Sequence, residues 1–122
     1  MIFFKTKRNS GNFAEKIALK YLKSKGLKKI QSNYYCRYGE IDIIMQDEKE
    51  LVFVEVRYRE NDSHGHAMET INHQKLKKII ATSKHYMMTN NLGYIPCRID
   101  VVGLHGDLNK PSINWIRNII IE

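Results

Sequence analysis

The stretch Gly39-Glu40-Ile41-Asp42-Ile43-Ile44, followed by Leu51-Val52-Phe53-Val54-Glu55-Val56-Arg57, decides the fold of this chain. Both runs are rich in Ile and Val, which is typical of β-strands. The segment between them, residues 45–50, is mostly polar and predicts a reversal of the chain. The two runs therefore predict a β-hairpin.

The register of this hairpin brings acidic side chains together. A turn centred on residues 48 and 49 places Asp42 opposite Glu55 and Glu40 opposite Arg57, all on one face, because strand side chains alternate with a period of two. Like charges that face each other across a sheet are destabilising. We therefore expect a bound cation or a basic side chain to compensate the acids.

Composition limits the classes of protein to consider. A chain of 122 residues fits a single domain, 1–122, and its net charge of +7 favours polyanionic partners such as nucleic acid. The sequence has no apolar run of membrane-spanning length, and its first residues do not resemble a signal peptide. We expect a cytoplasmic protein without a membrane partner. Cys36 and Cys97 lack metal-site spacing and are expected to be buried thiols.

The remaining elements are predicted from capping residues and periodicity. Residues 1–9 form a basic arm for which no order is expected, and a polar loop at 57–66 contains His64 and His66. The predicted order is helix, three antiparallel strands, helix, two strands, which makes an α/β sandwich around a mixed sheet. Outside the hairpin, the predicted elements are a helix capped by Ser10-Gly11-Asn12 and ending at Gly26, a strand at 27–37, a helix from Asn72 to about Thr89, and strands at 95–104 and 113–121.

Few catalytic constellations fit this sequence. It contains no glycine-rich phosphate loop, no Gly-x-Ser-x-Gly elbow and no His-Glu-x-x-His helix, and its histidines lack zinc spacing. The carboxylates of Asp42 and Glu55 are hard ligands that suit Mg²⁺ or Mn²⁺, and such a metal can polarise a phosphodiester. The alternative is structural, with Glu55 paired to a lysine or arginine and Asp42 bonded to turn amides. Glu15 on the first helix has a structural alternative too, as a first-turn acid that complements the helix dipole.

Glu15, the Gly39-Glu40-Ile41-Asp42 segment and the Glu55-Val56-Arg57 segment, in this order, resemble the PD-(D/E)xK phosphodiesterase superfamily. More closely, the chain resembles the YraN-like family of uncharacterised bacterial proteins, related to archaeal Holliday-junction resolvases. The resemblance covers roughly residues 10 to 105. It implies a restriction-endonuclease-like three-layer sandwich and a nuclease that acts on DNA, including branched DNA. By analogy with resolvases, it also allows a homodimer.

The resemblance also implies a site. Asp42 and Glu55 would ligate the metal, with the Val56 carbonyl as a third ligand and Glu15 as an outer or second-metal acid. The superfamily usually has lysine where Arg57 stands, and arginine cannot serve as a base at neutral pH. The metal or another lysine must then activate the water, and Lys75 at the start of the second helix is our candidate, unless it is an ordinary solvated lysine.

The sequence therefore leaves three functions open. The first is a Mg²⁺- or Mn²⁺-dependent endonuclease with Glu15, Asp42, Glu55, Arg57 and Lys75 as catalytic residues. The second is a non-catalytic nucleic-acid-binding module of the same fold. The third is a protein-interaction subunit that uses the apolar segment 119–121. The residues expected to contact nucleic acid are Arg57, Arg59, Gln74, Lys75 and Lys78.

Overall fold

The structure is a computed structural model that describes residues 2–60 and 71–119, with the backbone alone for residues 2–11. The predicted loop histidines His64 and His66 and the terminal residues 120–122 lie outside the described residues. The elements follow the predicted order. They are helix α1 (Ile2–Ser24), strands β1 (Lys28–Cys36), β2 (Gly39–Asp47) and β3 (Glu50–Arg59), helix α2 (His73–Thr89), and strands β4 (Cys97–His105) and β5 (Ser112–Ile116).

Helix α1 ends where the sequence predicts but begins earlier. Gly26 has φ +99°, and its N–H donates to the Lys23 carbonyl at 3.0 Å. The next residue, Leu27, donates to the Leu22 carbonyl at 3.1 Å and buries its side chain beside Leu22. These bonds make a Schellman C-cap. The start predicted at Ser10-Gly11-Asn12 is wrong, because the helix includes residues 2–9 that were expected to form a separate basic arm.

The five strands form one mixed sheet in the order β1-β2-β3-β4-β5. The first three strands pair antiparallel as predicted, β3 and β4 are parallel, and β5 returns antiparallel to β4. Val52 and Val54 pack with α1, whereas their neighbours Leu51 and Phe53 pack with α2. Because adjacent strand residues point to opposite faces, the two helices cover opposite faces of the sheet. The result is an α/β fold of three layers.

The predicted hairpin register is confirmed as far as the two strands pair, but Asp42 with Glu55 and Glu40 with Arg57 are not pairs of the ladder. Pairs run from Asp47 with Glu50 to Ile43 with Val54, around a turn at residues 48 and 49. The side-chain alternation of β2 is nevertheless interrupted, since Ile43 packs on the α1 side and Ile41 on the α2 side.

The interruption of β2 lies opposite an irregular residue in the neighbouring strand β1. In β1, Asn33 adopts φ +54°, and Asn33 and Asp42 lie between the regular pairs of Ser32 with Ile43 and Tyr34 with Ile41. A left-handed residue turns the backbone out of the regular pleat. The prediction that one unbroken face carries all the acids is therefore wrong.

Two further predictions are corrected at the end of the chain and at the cysteines. Strand β5 ends at Ile116 instead of continuing to residue 121. The Ile119 N–H donates to the Ile99 carbonyl at 2.8 Å, and its side chain is buried in the protein's own core. Ile119 is thus not available as an exposed apolar edge for a partner. Cys36 is half-buried and Cys97 is exposed, so they are not both buried thiols.

The start of β4 carries a separate charged network. The Arg98 guanidinium forms ion pairs with Asp47 at 3.0 Å, Glu50 at 2.7 Å and Asp100 at 3.1 Å. The Asp100 carboxylate is completely buried. This network fixes the β2–β3 turn against β4.

No helix within residues 2–60 and 71–119 is long and apolar enough to cross a membrane.

Candidate active site

Asp42 lies where strands β2 and β3 stop pairing. The ladder between them ends at Ile43 with Val54, although β2 continues to pair with β1 and β3 with β4. Beyond that pair, the Val56 N–H donates to Asp42 Oδ2 at 2.8 Å. In an extended strand such as β3, the N–H and C=O of one residue point to the same side. The Val56 carbonyl therefore faces the side on which Asp42 lies.

Glu55 precedes Val56 in strand β3, and it is only 6% exposed. Its Oε2 lies 3.2 Å from Arg57 Nη2 and 3.6 Å from Lys75 Nζ. Lys75 is held in place by the cap of α2, because its N–H donates to Asn72 Oδ1 at 2.8 Å. Asn72 is the N-cap that the sequence predicts. The cap thus anchors the turn of α2 that carries Lys75 beside Glu55.

Glu15 and Glu40 complete a group that we call the acidic cluster: Glu15, Glu40, Asp42 and Glu55. Burial, and then the charges of Glu40 and Glu55, raise the pKa of Glu15. These four carboxylates come from α1, β2 and β3. Residues distant in the sequence thus share one electrostatic environment.

The pKa of Asp42 reports this environment most strongly. Burial, followed by the charge of Glu55, raises the pKa of Asp42 from its ordinary 3.8 to about 8. The hydrogen bond from Val56 opposes this rise, while the charges of Glu15 and Glu40 add to it. A carboxyl group with such a pKa holds a proton at neutral pH unless a cation takes its place.

The acidic cluster carries more negative than positive charge. Only Arg57 and Lys75 form ion pairs with it in the part of the chain that the structure describes. Across those same residues, no three His, Cys, Asp or Glu side chains are arranged to hold a metal ion. Two carboxylates and a main-chain oxygen nevertheless match what Mg²⁺ requires, since this ion keeps several waters and takes one or two carboxylates. The donor set of Asp42, Glu55 and the Val56 carbonyl fits such an ion.

The structure brings together all five residues predicted to be catalytic: Glu15, Asp42, Glu55, Arg57 and Lys75. Their roles stay predictions. Among the residues predicted to contact nucleic acid, Gln74 and Lys78 are exposed on α2. Arg59 ends β3, where its Nη1 donates to the Tyr58 carbonyl at 3.2 Å.

Arg57 has a polar atom left over at the site. Its Nη2 pairs with Glu55, but its Nε is buried and has no hydrogen-bond partner among the described residues. A buried N–H without a partner costs free energy, which a bound anion or water would recover. A phosphate would have to reach Arg57 through the exposed part of its side chain, since the Nε itself is closed to solvent.

The sequence prediction missed two members of this environment. Glu40 was assigned to the hairpin face but to no site, and Tyr35 was assigned no role. The register of the β1–β2 hairpin pairs them directly. The signal was present in the sequence, because a two-residue turn at Arg37 and Tyr38 places residue 35 opposite residue 40.

Comparison with known proteins gives one family. The model described as "Uncharacterised protein family UPF0102" matches residues 14–104. A UPF0102 protein of Nitrosococcus oceani is 43% identical over 114 residues, covering 93% of this chain and 92% of the relative. One of Psychromonas ingrahamii is 47% identical, covering 93% and 91%. One of Clostridioides difficile is 42% identical, covering 91% and 96%.

Proposed function

This chain belongs to the UPF0102 family, whose model spans every residue of the acidic cluster, and we propose that the cluster is the active site of a nuclease. The proposed reaction is the hydrolysis of DNA phosphodiester bonds by a Mg²⁺- or Mn²⁺-dependent endonuclease, including bonds in branched DNA. The proposed fold family is the restriction-endonuclease-like one. A cytoplasmic location and a homodimer stay predictions.

The observation that carries this proposal is the convergence of Glu15, Asp42 and Glu55 from three separate elements, with the pKa of Asp42 raised to about 8. A purely structural carboxylate is normally paired or well hydrogen-bonded and has a lowered pKa. Neighbouring carboxyl groups that raise one another's pKa are typical of catalytic and metal-binding sites. The positive net charge of the chain supports a polyanionic substrate.

The ligands in this proposal are Asp42, Glu55 and the Val56 carbonyl, with Glu15 as an outer acid. A divalent cation bound there would act as a Lewis acid on a phosphoryl oxygen and offset the negative charge of the transition state. The Lewis-acid effect and the compensation of charge both require that a phosphate is held beside the acids.

Two basic side chains can hold that phosphate. Arg57 offers a positive charge beside Glu55, and Lys75 lies in the first turn of α2, where main-chain N–H groups favour anions. Arg57 stays protonated and cannot act as a base. Lys75 is therefore our candidate to orient the attacking water.

The test is a cleavage assay with Mg²⁺ and with Mn²⁺ on linear, single-stranded, forked and four-way DNA. We expect the wild type to cut at least one of these substrates. Asp42→Asn and Glu55→Gln should abolish cleavage, while Lys75→Ala should slow it about 10²- to 10⁴-fold. Glu48→Gln, at an exposed acid in the turn of the same hairpin, is the matched control and should cut normally.

Circular dichroism spectra of the variants should match the wild type, so that lost activity is not lost structure. No cleavage of any substrate by the wild type with either metal would reject the nuclease. Normal cleavage by Asp42→Asn would move the active site elsewhere.

A second candidate function is a non-catalytic nucleic-acid-binding module. It is favoured by the pairing of Glu55 with both Arg57 and Lys75, which compensates that acid without a metal. In this case binding should weaken steeply with salt, as counterion release requires. EDTA should leave the affinity unchanged, and calorimetry should detect no metal binding.

A further inference from the structure

Tyr35 is a large aromatic side chain left in solvent beside the acidic cluster. It is 68% exposed, although it belongs to the regular part of edge strand β1. Its neighbour Tyr34 points to the other face, where its ring packs against that of Tyr86 with centroids 5.1 Å apart. Two adjacent tyrosines thus divide between the core and the solvent, and the exposure of Tyr35 is not explained by packing.

The position of Tyr35 is fixed by the hairpin. It pairs with Glu40 in the ladder, and the Glu40 carboxylate is the group that acts most strongly on its phenol. The charges of Glu15 and Asp42 also act on this phenol. Within the described residues β1 is the outermost strand of the sheet, and the Tyr35 side chain is largely in solvent. The ring is therefore open to a ligand at the edge of the sheet, beside the acidic cluster.

The chemistry of this ring selects its ligand. The net negative charge of the acidic cluster opposes a phosphate backbone, so attraction that does not depend on charge would add to what Arg57 and Lys75 provide. Stacking of a base on an aromatic ring provides it and tolerates any sequence. A base inside a duplex is already stacked on both faces, whereas an unpaired base has a face to offer.

Tyr35 is better placed for this than the other exposed tyrosines. The ring of Tyr38 already has the Arg37 guanidinium over it, 4.9 Å from the centroid. Tyr94 is 83% exposed but precedes β4, whose first residue, Cys97, pairs with Leu51. That pair lies four residues along β3 from Glu55, or about 13 Å. No ring or cation stacks on Tyr35 within the described residues.

We propose that Tyr35 is a stacking platform for an unpaired base next to the phosphodiester bound at the acidic cluster. The inference rests on the proposed function and narrows its substrate to DNA with unpaired nucleotides at the cleavage point, as in a single strand, a flap or a fork. Tyr35 is a positioning residue here, since it holds the nucleotide and takes no part in the bond cleavage.

The test measures binding in EDTA, where no cleavage occurs, by fluorescence anisotropy. The probes are a labelled single strand, the same length of strand made of abasic sites, and a duplex. Tyr35→Ala should weaken binding of the base-bearing single strand at least about fivefold. It should leave the abasic strand and the duplex within about twofold of wild type.

Two matched variants separate the ring from other effects. Tyr35→Phe keeps the ring but loses the hydroxyl on which Glu40 acts, and should bind the single strand normally. Tyr94→Ala removes an exposed tyrosine remote from the cluster and should also bind normally. Both results would assign the effect to the Tyr35 ring.

The inference is overturned if Tyr35→Ala binds the base-bearing strand as tightly as Tyr94→Ala does. It is equally overturned if Tyr35→Ala weakens the abasic strand by the same factor, since the ring would then act through the backbone or the fold. These outcomes leave the nuclease proposal standing when the wild type cuts DNA and Asp42→Asn does not. If the wild type binds and cuts no DNA, both proposals fail together.

Discussion

At the scale of single residues, Asp42 illustrates how a site conflicts with stability. Its carboxylate is largely removed from water and faces the charge of Glu55, and one main-chain N–H from Val56 compensates only part of the cost. Desolvation of an ionised group without full pairing is among the larger penalties in folding. The fold tolerates this group because it can take up a proton, and on our proposal because it can bind a cation.

The first prediction concerns the pH dependence of stability. The pKa of Asp42 is about 8 in the folded chain and 3.8 ordinarily, so between these values the folded state holds a proton that the unfolded state has released. The free energy of unfolding contributed by Asp42 is therefore fully present below about pH 4 and falls as the pH rises to about 8. Asp42→Asn removes this dependence. Without divalent ions, it should stabilise the protein by about 1–3 kcal/mol at the alkaline end and change little at the acid end.

Urea unfolding in EDTA over the range from about pH 3 to about pH 9 measures this difference. Glu48→Gln is the control, because its exposed side chain should give the same pH profile as the wild type. If Asp42→Asn proves less stable than the wild type at every pH, the charge of Asp42 stabilises the fold and our account of its pKa is wrong.

At the scale of elements, the close contact between the β1–β2 hairpin and α2 positions the site. Gly39, the first residue of β2, has φ +151°, and a Cβ there would lie 3.1 Å from Thr82 Oγ1. The Thr82 hydroxyl is itself fixed by donating to the Lys78 carbonyl at 2.7 Å. Glycine is therefore required both by the backbone conformation and by the proximity of the helix.

The second prediction follows from this contact. Gly39→Ala should lower the free energy of unfolding by about 1–3 kcal/mol, because the new methyl group is strained at this φ and crowds Thr82. Gly93→Ala is the matched control: a Cβ there has no atom within 4 Å, so its effect should stay within about 0.5 kcal/mol. Chemical denaturation of both variants checks the difference, and equal stabilities would show that α2 can move away from the hairpin at little cost.

The same elements show what the sequence can predict. The polar residues of the β2–β3 turn predicted its register, and Asn72 predicted the start of α2, because both signals are local. The reversal of side-chain direction between Ile41 and Ile43 could not be predicted in this way. It accompanies the left-handed backbone of Asn33 in the neighbouring strand, which is a consequence of tertiary structure.

At the scale of the whole molecule, the acidic cluster exists only because of the topology. Glu15 precedes Lys75 by sixty positions, and their helices cover opposite faces of the sheet, yet both interact with Glu55. From the sequence, this convergence followed from a family resemblance and not from spacing. Tyr35 was missed because Tyr34 and Tyr35 point to opposite faces of β1, and the sequence does not show which of these faces is covered by a helix.

The molecule places its best-compensated charges away from this cluster. Arg98 pairs with Val52 in the ladder, three residues along β3 from Glu55, or about 10 Å. Although burial opposes its charge, hydrogen bonds to Asp100, Glu50 and Asp47 raise the pKa of Arg98. The acidic cluster is thus only partly compensated, whereas the Arg98 network is paired and holds β2, β3 and β4 together.

The last prediction tests whether these two charged groups are independent. Among the described residues, Arg98→Ala would leave the buried Asp100 carboxylate with only neutral donors, namely Trp115 Nε1 at 3.0 Å and the Asn118 N–H at 2.8 Å. Removing one partner of a buried ion pair costs about 3–5 kcal/mol, and denaturation should show a loss of this size. The double variant Arg98→Ala with Asp100→Asn should recover part of it, because no buried charge remains unpaired.

Arg117→Ala is the control for this experiment. Its exposed guanidinium lies over the Trp115 ring, 4.0 Å from the centroid, and its loss should cost no more than about 1 kcal/mol. Activity per folded molecule should be unchanged in all three variants, because the network provides no atom to the acidic cluster. If Arg98→Ala instead lowers activity in protein that is still fully folded, the position of β3 depends on the network, and the cluster is not built independently of it.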